Sequence, residues 1–171
     1  QQRPYMDYDL SLGTIQYMVS RDTDLILLQE DKVSKILIDK NIINSPGGAQ
    51  GITLSNNTLS ETAIPFTGNW GVCLNPESVC VFGKVVYFVD IKRGAVIRLS
   101  NDGLTAISDY KMADFFRDKM DLYTTIKPSQ YNSSFGGPLK IIGGYNPRHD
   151  EYIITFPQVY DTRTHAKISA R

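Results

Sequence analysis

Apolar residues in this chain come in short runs cut by charged or glycine-rich turns, and two of the runs follow one plan. Leu25-Ile26-Leu27-Leu28-Gln29-Glu30 leads through Asp31-Lys32 into Val33-Ser34-Lys35-Ile36-Leu37-Ile38. Tyr87-Phe88-Val89-Asp90 leads through Ile91-Lys92-Arg93-Gly94 into Ala95-Val96-Ile97-Arg98-Leu99. Each copy is an apolar strand ending on an acidic residue, a charged turn, and a second strand with one basic residue among aliphatics. Repeated hairpins of this kind predict a radial β-architecture of similar units.

The rest of the chain fills in around these hairpins. Gly13 to Val19 reads as a strand entering the first one. Residues 44–74 change character: Asn44-Ser45-Pro46-Gly47-Gly48 and Ser55-Asn56-Asn57-Thr58 break regular structure, with Ile52-Thr53-Leu54 as one short strand between them. A long polar loop is expected there, of the kind that serves as a binding surface. After Asn75-Pro76-Glu77-Ser78, strands at 79–82, 85–90, 95–100 and 104–107 are joined by tight turns, Asn101-Asp102-Gly103 being a strong hairpin signal. Together they predict a four-stranded β-meander. Met112, Phe115, Phe116, Met120 and Tyr123 then recur at helical spacing, predicting an amphipathic helix over about 109–123 that packs on a sheet and is capped by Ser108 or Asp109. Strands at 139–142, 151–156, 159–160 and 166–169 predict a further meander, with Pro157 at a strand end because it has no N–H to donate.

Composition narrows the function. Acidic and basic residues number 18 each, so the net charge is zero, which counts against a nucleic-acid backbone as partner. No apolar run approaches the roughly 18–20 residues of a membrane-spanning helix. The polar start at Gln1 and the stop at Arg171 within a strand-like run suggest a segment of a longer protein. Cys73 and Cys80 are too few and too far apart for a disulfide scaffold or a metal site, and free thiols are expected.

Candidate chemistry is sparse. The two histidines, His149 and His165, sit in turns without a second ligand at metal spacing. Asp150 and Glu151 are consecutive on a strand, so they point to opposite faces and cannot work as a carboxylate pair. Gly47, Gly48 and Gly51 lack the Lys-Ser/Thr that closes a phosphate loop. No cofactor, no metal and no catalytic set is expected, and the chain is expected not to be an enzyme. Lys92 and Arg93, at a hairpin tip near Lys84 and Arg98, read either as a solvated turn or as partners of an acidic turn in a neighbouring copy. Tyrosine, ten of the aromatic residues, offers an apolar ring with a polar tip that suits wet interfaces and sugar stacking. Tyr131, Phe135 and Tyr145 have that setting, and with Lys92 and Arg93 they are the candidate interface residues.

The stretch from Asn75-Pro76-Glu77-Ser78 through Tyr87–Ser100, Asn101–Ser108, Phe115-Phe116-Arg117-Asp118 and Gly143-Gly144-Tyr145-Asn146-Pro147 to Asp150-Glu151-Tyr152 resembles a β-propeller-like module of large virion structural proteins of tailed bacteriophages, the crAss-like and marine phages among them. The hairpins are also similar to NHL-type blades, and Tyr160-Asp161-Thr162-Arg163-Thr164 to a kelch-type turn. The resemblance implies a mainly β fold of antiparallel meanders arranged as propeller-like blades. Residues 1–43 would form a first blade-like hairpin region, 75–108 a second blade, 109–137 a helix and connection, and 138–171 a third, truncated blade. It implies a structural part of a phage tail, hub or ring, located in the virion, whose partners are other phage structural proteins and copies of itself. A propeller that binds a receptor or host-surface glycan is the alternative, and a propeller-type hydrolase or lyase the second.

Overall fold

The computed structural model describes residues 8–21, 23–44, 50–125, 131–133, 139–161 and 167–168. Strands β1 (Ile15–Ser20), β2 (Asp24–Gln29), β3 (Val33–Asn44) and β4 (Gln50–Pro65) form an antiparallel four-stranded sheet in chain order. Strands β5 (Cys80–Phe82), β6 (Val85–Asp90), β7 (Ala95–Ser100) and β8 (Gly103–Ala106) form a second, also in chain order. Among the described residues one α-helix, α1 (Ala113–Thr125), follows. The strands β9 (Tyr131–Ser133), β10 (Ile142–Asn146), β11 (Glu151–Thr155), β12 (Val159–Asp161) and β13 (Lys167–Ile168) complete the order. The protein is therefore mainly β, with antiparallel sheets and a single helix. That helix is too short and too polar to cross a membrane.

The second sheet is the middle layer. Successive side chains on a strand point to opposite faces. Val86 and Phe88 of β6, with Ala95, Ile97 and Leu99 of β7, pack against Val19, Ile26, Leu28 and Val33 of the first sheet. Val89 and Val96 point the other way and meet Met120 of α1, Ile141, and Tyr152 and Ile154 of β11. Burial on both faces explains why β6 and β7 read as near-continuous apolar runs. Phe88 is fully buried at the centre, which contributes about 2–3 kcal/mol of apolar transfer.

The two repeated hairpins lie one on the other, turn against turn. Backbone N–H groups of Val72 and Cys73 donate to the carbonyls of Gln29 (3.0 Å) and Glu30 (3.1 Å) at the end of β2, while the Gly71 N–H donates to Asp90 at the end of β6 (3.0 Å). The segment 71–73 thus joins the equivalent ends of β2 and β6.

Four expectations need correction. Residues 50–65, inside the expected polar loop at 44–74, form strand β4, whose backbone is paired to β3 across two register shifts. Ladder pairing with β3 satisfies that backbone, so the Asn, Ser and Thr content did not forbid a strand. The helix begins at Ala113 rather than 109, because Ile107–Asp109 is a separate 3₁₀ turn. Ser108 does not cap it: its hydroxyl instead accepts the Val96 N–H (3.1 Å). Finally, the last meander is split. β10 and β11 form a two-stranded sheet, and β12 pairs with β9 and β13 in another. Phe156-Pro157-Gln158 separates β11 from β12, and Phe156 turns in toward Phe116 and Tyr123 of the helix.

Candidate functional site

The densest polar arrangement lies where the two hairpin turns meet. Asp90 ends β6 fully buried, and its carboxylate accepts from the Gly71 N–H, the Cys73 thiol, the Arg93 N–H and Arg93 Nη1. These donors replace water around a charge that burial alone would make costly. The Arg93 guanidinium continues outward to Asp31 Oδ1 at 3.4 Å, and Lys92 Nζ reaches the same oxygen at 2.8 Å. Two residues of one turn therefore grip the acid of the other. The hydrogen bond from Lys92 holds the Asp31 carboxyl below its ordinary range against a smaller opposing effect of burial, and the charges of Lys92 and Arg93 add to it. The same bond raises the Lys92 ammonium.

Beside this network a cleft of about 350 Å³ opens, walled by Asp31, Lys92, Ile91, Cys73, Leu74 and Tyr123. Its chemistry is quiet. Burial, seconded by the Asp90 charge, pushes the Cys73 thiol up to about 12, so the group is a thiol and not a thiolate nucleophile near neutral pH. Burial likewise raises Tyr123 to about 12, and its hydroxyl donates to the Pro157 carbonyl at 2.8 Å. Among the described residues no group of three or more His, Cys, Asp or Glu is placed to hold a metal ion. Cys73 and Cys80 are free.

The candidate residues read from the sequence fall in separate places. Lys92 and Arg93 are not a bare solvated turn: they make the ion pairs between copies that the repeat allowed as its second reading. Tyr145 lies on β10 with its ring stacked on Phe82 (4.1 Å between centroids) and beside Tyr87 (5.9 Å), which in turn stacks on Tyr152 (5.1 Å). Its hydroxyl donates to Asp150, and this bond, ahead of burial, raises the phenol to about 12. The ring that would stack on a sugar is thus already stacked on Phe82. Tyr131 lies in β9, its backbone opposite Asp161 of β12 and so in a different sheet from Tyr145. Phe135 and His165 lie outside the described residues. Asp150 sits in the turn at φ +56, one residue before β11 begins at Glu151.

Sequence reasoning did not foresee three buried polar side chains that bond backbone groups the strand ladders leave unpaired. Asn75 is buried and pairs with the backbone of Ile141, ahead of β10. Ser78 accepts the Val89 N–H at 3.1 Å where β5 is too short to do so, and Ser108 does the same for Val96 beyond the end of β8. The signal for Asn75 and Ser78 was their position around Pro76, at the opening of the second sheet. Compared with protein-family models and with characterised proteins, the chain matches none.

Proposed function

We propose that the chain is a structural component of a tailed-phage virion, part of a tail, hub or ring assembly, acting through protein–protein contacts, with its stacked sheets serving as propeller-like blades. One observation carries the reading. The two four-stranded sheets stack face to face with equivalent hairpins aligned, and Ile142 and Ile153, on the face of the β10–β11 hairpin turned away from the second sheet, are 45% and 50% exposed. That face carries the two isoleucines beside Gly144, Asn146, Glu151 and Thr155, and an exposed surface of mixed apolar and polar residues suits contact with a neighbouring subunit. The charged groups at the turns are spent on holding layers together, which suits a scaffold. The resemblance of residues 75–152 to phage virion modules supplies the setting.

Quantitative peptide mass spectrometry of purified particles tests this. The chain is expected in the particle, in a fixed ratio of several copies per portal or tail tip. Its recovery only from the infected-cell lysate, with none in washed particles, would overturn the reading.

A further inference from the structure

We propose that β1 is a pairing edge and that its partner is β1 of a second copy of this chain, joined antiparallel about a two-fold axis. The proposal deepens the assembly reading and rests on it in one respect, that contacts between copies are used. The edges of the two four-stranded sheets differ in how they are protected. At the far edge of the first sheet, β4 is shifted in register against β3 at two places, which breaks the regularity of that edge, and it ends on Pro65. β5 is three residues long and runs into Gly83-Lys84, and β8 is four residues long and follows Asp102. Shortness, charge and proline are the usual means of stopping an edge from recruiting a strand. β1 has none of them: its six residues, Ile-Gln-Tyr-Met-Val-Ser, are uncharged and free of proline.

Its apolar surface is also open. Met18 is 58% exposed, Ile15 43% and Tyr17 40%. β2 pairs with one side of β1, and no strand pairs with the other among the described residues. The bulge at Gln16 disturbs only the start, because Tyr17, Met18, Val19 and Ser20 keep unbroken register with Leu28, Leu27, Ile26 and Leu25. Among the described residues, the charges flanking the strand are already paired or bonded: Arg21 pairs with Asp24 at 2.8 Å, and Glu30 accepts from the Thr14 N–H at 3.2 Å.

A second copy fits this edge on three counts. An antiparallel edge is its own complement under a two-fold axis, so the contact needs no other surface to have the right shape. An uncharged strand set against itself brings no like charges together. The net charge of zero leaves the copies without long-range repulsion. The joined strands would make a continuous sheet and cover Met18 between the copies.

Sedimentation velocity on the full chain, with hydrogen exchange at the β1 amides, tests the proposal against two variants. The wild type is expected to dimerise at micromolar concentration with the β1 amides protected. Met18→Lys places a charge on the edge and is expected to weaken the dimer at least tenfold and release those amides, with an unchanged circular dichroism spectrum. Tyr110→Lys, at a residue 80% exposed and away from β1 in sequence, is expected to leave the dimer intact. A wild-type chain that stays monomeric, or a Met18→Lys dimer as tight as the wild type, would overturn the β1 contact. A monomer whose β1 amides become protected only on adding other particle proteins would assign the edge to a foreign strand, also against the proposal. Each of these failures leaves the virion reading to its own test, since presence in particles is measured separately.

Discussion

The side chain of Asn75 and the backbone of Ile141 hydrogen-bond in both directions: Asn75 Nδ2 donates to the Ile141 carbonyl at 2.7 Å, and the Ile141 N–H donates to Asn75 Oδ1 at 2.8 Å. The amide imitates a strand, closing a two-bond bridge at a point where no strand runs. Both residues are buried, so neither end has water to fall back on. Asn75→Ala would leave the Ile141 N–H and carbonyl unpaired in the interior. Each such group costs about 1–3 kcal/mol. The expected loss is therefore about 2–6 kcal/mol, read as a lower midpoint in urea unfolding, and a loss under about 0.5 kcal/mol would mean the bridge is not made.

Gly71 and Gly144 make a matched pair of tests for backbone approach. A Cβ on Gly71 would lie 2.2 Å from the Glu30 carbonyl oxygen, whereas one on Gly144 would meet nothing within 4 Å. Gly71→Ala must push the 71–73 segment off the end of β2 and loosen both of its backbone bonds there. A destabilisation above about 2 kcal/mol is expected, as for other overpacked sites, with Gly144→Ala within about 0.5 kcal/mol of wild type. Thermal unfolding of the two variants side by side checks the difference.

How much of this was readable in advance depends on the distance over which each feature is decided. The β6–β7 hairpin was legible because its apolar runs, its acidic strand end and its Lys92-Arg93-Gly94 turn are all local. β4 was not, because its polar residues resemble a loop and only pairing with β3 makes them a strand. Ser108 shows the same limit: local rules favour it as a helix cap, but the Val96 N–H beyond the end of β8 claims its hydroxyl. The polar contacts between layers are longer in range still. Lys92 meets Asp31 across 61 residues of chain, and Asn75 meets Ile141 across 66. The repeat hinted at the first of these, since two copies of one hairpin stacked in register bring their turns together. Nothing local pointed to the second.

The contact between turns should depend on pH at both ends. The folded-state pKa of Asp31 is lowered, chiefly by the Lys92 hydrogen bond, so its contribution is present above the unfolded carboxyl value of about 3.9 and is lost as pH falls through the folded value. The pKa of Lys92 is raised by the same bond, so its contribution is present below about 10.4 and is lost as pH rises through the folded value. The pair is solvent-exposed enough for salt to screen it. Asp31→Asn is therefore expected to lower Tm slightly at pH 7, with the gap to wild type closing as pH falls through the lowered folded-state value of Asp31 and shrinking in molar salt. Tm measured against pH at two salt concentrations decides it. A gap that persists unchanged at low pH would mean that Asp31 acts through packing.

Asp90 and Arg93 should be unequal partners, although they form one ion pair at 2.9 Å. Asp90 is fully buried, and its carboxylate serves Gly71, Cys73 and the Arg93 backbone besides the guanidinium. Arg93 keeps part of its side chain in water and has Asp31 as a second acceptor. Removing Asp90 strands several buried donors at once, and removing one side of such a buried pair costs about 3–5 kcal/mol. Removing the Arg93 side chain leaves Asp90 with its backbone and thiol donors, so the charge stays partly compensated and the cost should be nearer 1–3 kcal/mol, as for a single charge-assisted hydrogen bond. A double-mutant cycle with Asp90→Ala and Arg93→Ala should then show Asp90→Ala as the larger single effect. Once Asp90 is gone, Arg93→Ala should add little, because the guanidinium no longer has a buried charge to neutralise. Equal single effects would mean that the ion pair alone, and not the set of donors around Asp90, sets the stability of this turn.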